Sequence, residues 1–456
     1  MMTPTRAPLA LSRRREFLQV GTLGLGALSL SGLLRARAEA ANEGKTARDT
    51  SVVFLFLTGG PSHIETFDPK MTAPAEYRSI TGETATRIPG VTFGGTFPQL
   101  AQCAHRMAVV RSFSHETSDH TRAVQQVIRG GNSGEAGMGA IMARLRGTSH
   151  PASGMPTHIY LNETELDPQF DKERQRLLEA AGPGQLGGGY APFPLGFNSP
   201  VSRDLQLCVS RRCLEDRRAM RSAFDQVARE VDTDGSLATL DRFDQQAFEI
   251  LVGRSRGAFD LSREDPRIVA RYDTRRYQTG IKEYRSSPLG LQLLLARRLC
   301  EAGCGFVTIH NPGWDMHGGD TQLNMRRGMD ELGRPLDHAV AAFLEDVEQR
   351  GLSQKILLVI TGEFGRTPRI NASGGRDHWP QLSTLALAGG GLRMGQIVGE
   401  STARADVPKT NPVSIANLLA TVMHVLLDDD ARRRIAVLPG AVAASVAGAR
   451  PIAGLI

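Results

Sequence analysis

Val52-Val53-Phe54-Leu55-Phe56-Leu57 is six apolar residues in a row, stopped by Thr58-Gly59-Gly60-Pro61. A run this short, apolar at every position and closed by Gly-Gly-Pro, predicts a strand buried on both faces with a working loop at its exit. Comparable runs recur at 107–110, 158–161, 305–310, 355–360 and 384–388, and helical patterns lie between them, notably at 289–302, 329–349 and 413–427. Strands alternating with helices, with both strand faces apolar, predict an α/β fold: a mainly parallel central sheet covered by helices on both faces. In such sheets ligands sit beyond the carboxyl ends of the strands, so the polar residues after each strand carry the functional reading.

The chain has 456 residues, with 54 Lys plus Arg against 48 Asp plus Glu. Its excess of positive charge lies at the start: residues 1–38 hold six arginines and one acid, leaving 48 basic and 47 acidic residues beyond. That remainder carries no basic footprint of a nucleic-acid binder. Arg13-Arg14-Arg15-Glu16-Phe17-Leu18, the Gly-interrupted apolar run 20–34 and Ala36-Arg37-Ala38 read as a twin-arginine export signal over 1–38. The expected location is therefore periplasm or cell surface. The twin-arginine translocase is the partner during export, with membrane attachment only if the leader stays uncut. A polar linker over 39–51 leads into one domain over 52–456. Within it, about 203–288 is rich in charged helical pattern and weak in strand pattern, and reads as a helical cap inserted in the sheet domain. The five cysteines, an odd count, provide no complete disulfide framework and no second pair to finish a zinc ribbon.

Four strand exits concentrate chemistry. The first runs through Ser62, His63, Glu65 and Asp68, where glycine amides and potential metal ligands stand together. The exit at 311–320 holds Asp315-Met316-His317 between glycines, a carboxylate–imidazole pair suited to a divalent metal. The exit at 361–368 places Glu363 at a strand end. Arg366, Arg376, Asp377 and His378 follow, the guanidiniums matching tetrahedral oxyanions. The fourth, after 107–110, brings His115, Ser118, Asp119, His120 and Thr121 to the opening of a helix, where a nucleophile or an anion is stabilised and where Ser118 and Asp119 also serve as caps.

Gly-Gly-Pro-Ser-His with Thr-Phe-Asp-Pro-Lys, Gly-Trp-Asp-x-His, Gly-Glu-Phe-Gly-Arg-Thr-Pro and Gly-Arg-Asp-His-Trp-Pro resemble the exported family known as domain of unknown function 1501, over nearly the whole chain after the leader. That family is placed in the alkaline-phosphatase-like clan, beside sulfatases and phosphomutases. The resemblance implies one or two divalent ions (Zn, Mn or Ca) at strand ends. Glu65 or Asp68, Asp315 with His317, Glu363 and His378 match the clan's ligands, and 119–121 lies where the clan keeps its nucleophile. It departs from the clan in three ways. Phe364 stands where two-metal members carry a His, no Cys-x-Pro-x-Arg string is present, and His120 occupies the expected hydroxyl position with Thr121 beside it. The implied function is metal-dependent hydrolysis of phosphate or sulfate esters on small molecules or glycans. In that scheme Thr121 or water attacks, His120 or His115 moves protons, and Arg366 and Arg376 meet the developing charge. The alternative is a non-catalytic metal- and anion- or glycan-binding protein with a degenerate site.

Overall fold

Seven of the eight strands of the central sheet run in one direction. The structure, a computed structural model, describes residues 49–163, 170–197, 209–224, 236–252, 254–277, 287–319 and 323–456. The expected export leader and most of the expected linker fall outside the described residues, as does part of the expected cap.

In chain order the strands are β1 (Ser51–Leu57), β2 (Ala108–Val110), β3 (His158–Glu163), β4 (Phe193–Phe197), β5 (Phe306–Asn311), β6 (Ile356–Thr361), β7 (Leu385–Gly389) and β8 (Gln396–Val398). Across the sheet they lie in the order β8-β2-β7-β6-β1-β5-β3-β4. β7 is the reversed strand, antiparallel to both β6 and β2. The edge strands β4 and β8 escape the sequence pattern for simple reasons. Pro194 and Gly196 interrupt one, and the other is three half-buried residues.

β1 lies at the centre, and its alternate residues feed two cores. Val53, Leu55 and Leu57 pack with the helices α4 (Leu289–Glu301) and α5 (Arg334–Gln349). Val52, Phe54 and Phe56 pack on the opposite face with α1 (His120–Arg129), α2 (Met138–Arg146) and α6 (Ile415–Leu426). A continuous apolar run is what a strand needs when its period-two faces are both covered. The pattern at 329–349 resolves into a π turn, Met329–Gly333, that runs directly into α5, with Pro335 just past the junction. Helices also form at Arg211–Phe224 and Ser236–Val252 in the expected cap. Cys103, Cys213, Cys300 and Cys304 are free thiols.

Candidate metal centre

The strand order β6-β1-β5 sets three of the four chemistry-bearing exits side by side, because Leu57 pairs with Asn311 and Phe56 with Thr361. The β1 exit is then pinned against its neighbours. Trp314 N–H donates to the Thr58 carbonyl at 3.0 Å, and Gly59 N–H donates to Glu363 Oε1 at 2.8 Å. Gly59 has φ +107°, and a Cβ there would stand 2.4 Å from Asp315 N, so only glycine lets the two loops approach this closely. The fourth exit reaches the same place through α1. Asp119 caps that helix by accepting from Arg122 N–H at 2.9 Å, which puts His120 at its first position.

His120, Asp315 and His378 converge, each offering one ligand atom within 4.8 Å of the others. Their hydrogen bonds determine where the protons sit. Glu363 Oε1 lies 2.8 Å from His120 Nδ1, and the Ser118 carbonyl lies 3.0 Å from His378 Nδ1. Both partners only accept, so each Nδ1 carries a proton, and each ring turns its Nε2 toward Asp315. His378 Nε2 is 3.2 Å from Asp315 Oδ1, and His120 Nε2 is 3.6 Å from Oδ2. These separations are close to the roughly 3.3 Å that a tetrahedral ion with bonds of about 2.0–2.1 Å sets between its ligands. The side chains of His120, Asp315 and His378 are each about a quarter exposed, open to a ligand from solvent. Without a cation, burial would lower His120, but hydrogen bonds and charge from Asp315 and Glu363 outweigh it and hold the imidazolium up to about 9. The donor set fits one divalent ion.

His317 and Glu363, both expected as ligands, stand directly against this group. His317 Nε2 approaches Asp315 Oδ1 and His378 Nε2, each at 3.0 Å, but Arg366 Nη1 donates to that same nitrogen at 3.2 Å, and Nδ1 faces Asp377 at 2.8 Å. Glu363 orients His120, the carboxylate–histidine support that metal sites use. Its other oxygen, Oε2, is buried with no partner.

The two arginines expected on a substrate oxyanion are spent within the protein. Arg366 donates through Nε to the Gly60 carbonyl (2.8 Å), through Nη1 to the Arg376 carbonyl (3.0 Å) and His317, and through Nη2 to the Gly59 carbonyl and Asp315. Arg376 gives its donors to Glu65 and the carbonyls of Thr367, Pro368 and Arg78. A guanidinium has five N–H groups, so neither has one left for a ligand. Glu65 is correspondingly an ion-pair partner, 3.1 Å from Arg376, with both side chains fully buried. Asp68 accepts from Ser401 and pairs with Lys70 and Arg111. Neither joins the His120–Asp315–His378 group, because each carboxylate is neutralised where it stands.

Thr121 is exposed in the first turn of α1, one residue from His120. His115 lies apart, its Nε2 3.4 Å from Ser383 Oγ, and burial lowers its affinity for a proton. Phe364 walls the centre, its ring 5.0 Å from that of His120 and 4.5 Å from that of His378. One neighbour escaped the sequence reading: Glu173, on the helix α3 (Asp171–Ala180), bonded to Thr58 Oγ1 at 2.5 Å. Its sequence neighbours Lys172 and Arg174 make it look like one more charge on a solvated helix. Only the packing of α3 along α1 brings it here.

The family profile described as "Protein of unknown function (DUF1501)" matches residues 49–449, most of the chain. The chain belongs to this family. No curated protein matches it by sequence. Among solved structures, this DUF1501 chain is similar to a sulfatase from Pseudoalteromonas sp., at 10% identity and TM-score 0.38, with 89% of this chain and 72% of that one covered. It is also similar to the lipoteichoic acid synthase LtaP from Listeria monocytogenes, at 9% identity and TM-score 0.36, with 83% and 72% covered. A third is a phosphonate monoester hydrolase of Agrobacterium radiobacter, at 10% identity and TM-score 0.36, with 83% and 73% covered. The strings Gly-Trp-Asp-x-His, Gly-Glu-Phe-Gly-Arg and Arg-Asp-His-Trp of this chain build the centre together with His120 at the start of α1.

Proposed function

We propose that the protein is an exported, metal-dependent hydrolase of phosphate or sulfate esters, working with one divalent ion. The observation that carries this is the convergence of His120, Asp315 and His378, with both Nδ1 protons committed to fixed acceptors. These three side chains would hold the ion, which supplies Lewis-acid polarisation of an ester oxygen and activation of water. Glu363 keeps the His120 ring aimed at Asp315, and Arg366 holds Asp315 Oδ1 through Nη2. Phe364 fills the side where a second ion would need a ligand, which supports a single-metal site. Thr121 or water is the attacking group, and the open α1 terminus faces the incoming ester.

A screen of chromogenic phosphate and sulfate esters with added Zn, Mn or Ca tests the reading. Turnover that depends on metal, with both turnover and bound metal lost in His378→Ala, is the expected result. Metal content unchanged in His378→Ala by elemental analysis would sink the assignment.

The second reading, a non-catalytic binder of metal and anionic glycan, draws on one observation: Arg366 and Arg376 have no free donor for a transition-state oxyanion. Bound metal without turnover of any ester would favour it. Export is proposed from the leader alone, and Lys at positions 14 and 15 should leave the precursor inside the cell in a fractionation assay.

A further inference from the structure

Glu173 sits in the machinery without a structural task that explains it. Its Oε2 is anchored to Thr58 Oγ1 at 2.5 Å, and Thr58 Oγ1 in turn lies 2.9 Å from Nε2 of the buried His310. The next residue, Gly59, holds Glu363 through its N–H at 2.8 Å. Two carboxyl groups are thus tethered to consecutive residues just past β1, Glu173 to Thr58 and Glu363 to Gly59. The α3 helix that carries Glu173 packs along α1, whose first residue is His120. Among the described residues Glu173 Oε1 has no protein partner, and the side chain is half-buried rather than sealed.

A carboxyl with one oxygen fixed and the other without a protein partner, hung on Thr58, whose carbonyl accepts from Trp314 next to Asp315, is placed to hand over a proton. We propose that Glu173 is the general acid that protonates the leaving-group oxygen, a role that rests on the hydrolase reading above. The attacking oxygen, from water or Thr121, forms its bond to phosphorus or sulfur. The bond from that atom to the ester oxygen breaks, with the electron pair staying on the oxygen. Glu173 Oε1–H supplies its proton, so the alcohol leaves neutral. The proton shed by the attacking group restores the acid.

Before a cation binds, the surroundings favour the acid form, and burial is the part of this that does not depend on the Asp315 charge. Burial comes first in raising the Glu173 carboxyl to about 7, and the Glu363 and Asp315 carboxylates add to it, while the Thr58 hydrogen bond and His120 oppose. His310, on the strand behind, is pushed down to about 3 by burial and stays neutral. A carboxyl raised in this way is protonated below its pKa, so the donor is lost as pH climbs through neutrality.

The test compares 4-nitrophenyl esters, whose leaving group departs unaided, with phenyl esters, whose leaving group needs a proton. It uses the full chain with Zn or Mn. In Glu173→Gln, kcat on the phenyl ester should fall by about 100-fold or more, as loss of a general acid does, while the 4-nitrophenyl ester is little changed. The alkaline limb of the phenyl-ester pH profile should vanish with it, and Glu173→Asp should retain that limb. Equal losses on both esters with the limb intact would overturn the donor role and leave the hydrolase reading standing. A wild type that turns over neither ester overturns the hydrolase reading itself. Infrared difference spectra provide a readout apart from turnover. The wild type should show a protonated-carboxyl band at pH 6 that fades by pH 8 and is absent from Glu173→Gln, and a band that survives in the variant removes the proposal.

Discussion

Glu363 Oε1 receives a backbone N–H and an imidazole N–H at once, and so it couples the β1 exit to α1 through a single atom. Glu363→Gln keeps the volume but weakens the acceptor, and the side-chain amide can present N–H to His120. Metal affinity should fall about 10- to 100-fold in a calorimetric titration, the usual cost of losing such support. Gly59→Ala meets two obstacles together, a φ of +107° and a Cβ 2.4 Å from Asp315 N. It should lower the unfolding free energy by about 2 kcal/mol or more, read by denaturant titration, and weaken metal binding in parallel. Arg366→Lys replaces five fixed donors with three on a flexible stem. A loss of about 3 kcal/mol is expected, of the size seen when a buried pair loses its partner.

At the scale of elements, charge ties the segment before the helix Pro266–Tyr272 to α4 and to the end of α5. Glu264, before the helix Pro266–Tyr272, accepts from Arg297 and Arg298 of α4 at 2.8 Å and from Arg350 after α5 at 3.0 Å. Arg297, itself buried, also pairs with Asp346 at 2.9 Å and Glu301 at 2.6 Å. Burial would raise Glu264, but hydrogen bonds from Arg298 and Arg297, with the charges of Arg297 and Arg350, hold it down to about 2. A carboxylate lowered by folding contributes stability above its ordinary value near 4.5, and that contribution drains away as pH falls toward 2. Glu264→Gln should therefore cost about 2 kcal/mol at neutral pH, where three guanidiniums lose a carboxylate they share, and flatten the acid decline of stability between those pH values. Chemical denaturation at a series of pH values reads both effects.

For the whole molecule, a cation bound only by the folded chain stabilises it by mass action, about 2.7 kcal/mol at a free concentration 100 times the Kd. Chelation should lower the melting temperature of the wild type and leave that of His378→Ala unmoved. Elemental analysis should return one equivalent of metal. Two equivalents would mean that the Phe364 side of the site is open after all.

The apolar runs and their alternation with helical pattern marked the six inner strands of the sheet and not its two edges, because a strand covered on both faces is apolar throughout while Pro194, Gly196 and the three half-buried residues of β8 break that pattern. The strand exits likewise marked Asp315, Glu363, His378 and His120 as chemical, since buried strands release their polar residues only at their ends. Roles within that set were a matter for the tertiary structure. Whether His120 or His317 faces the centre depends on which ring nitrogen meets Glu363 or Arg366, partners 243 and 49 positions away along the chain. The arginines look the same in sequence whether they grip a ligand or a backbone carbonyl, and counting satisfied donors needs coordinates. Glu173 was invisible for the same reason. An acid on a charged helix becomes a proton donor only when packing carries it to Thr58, a contact no local pattern encodes.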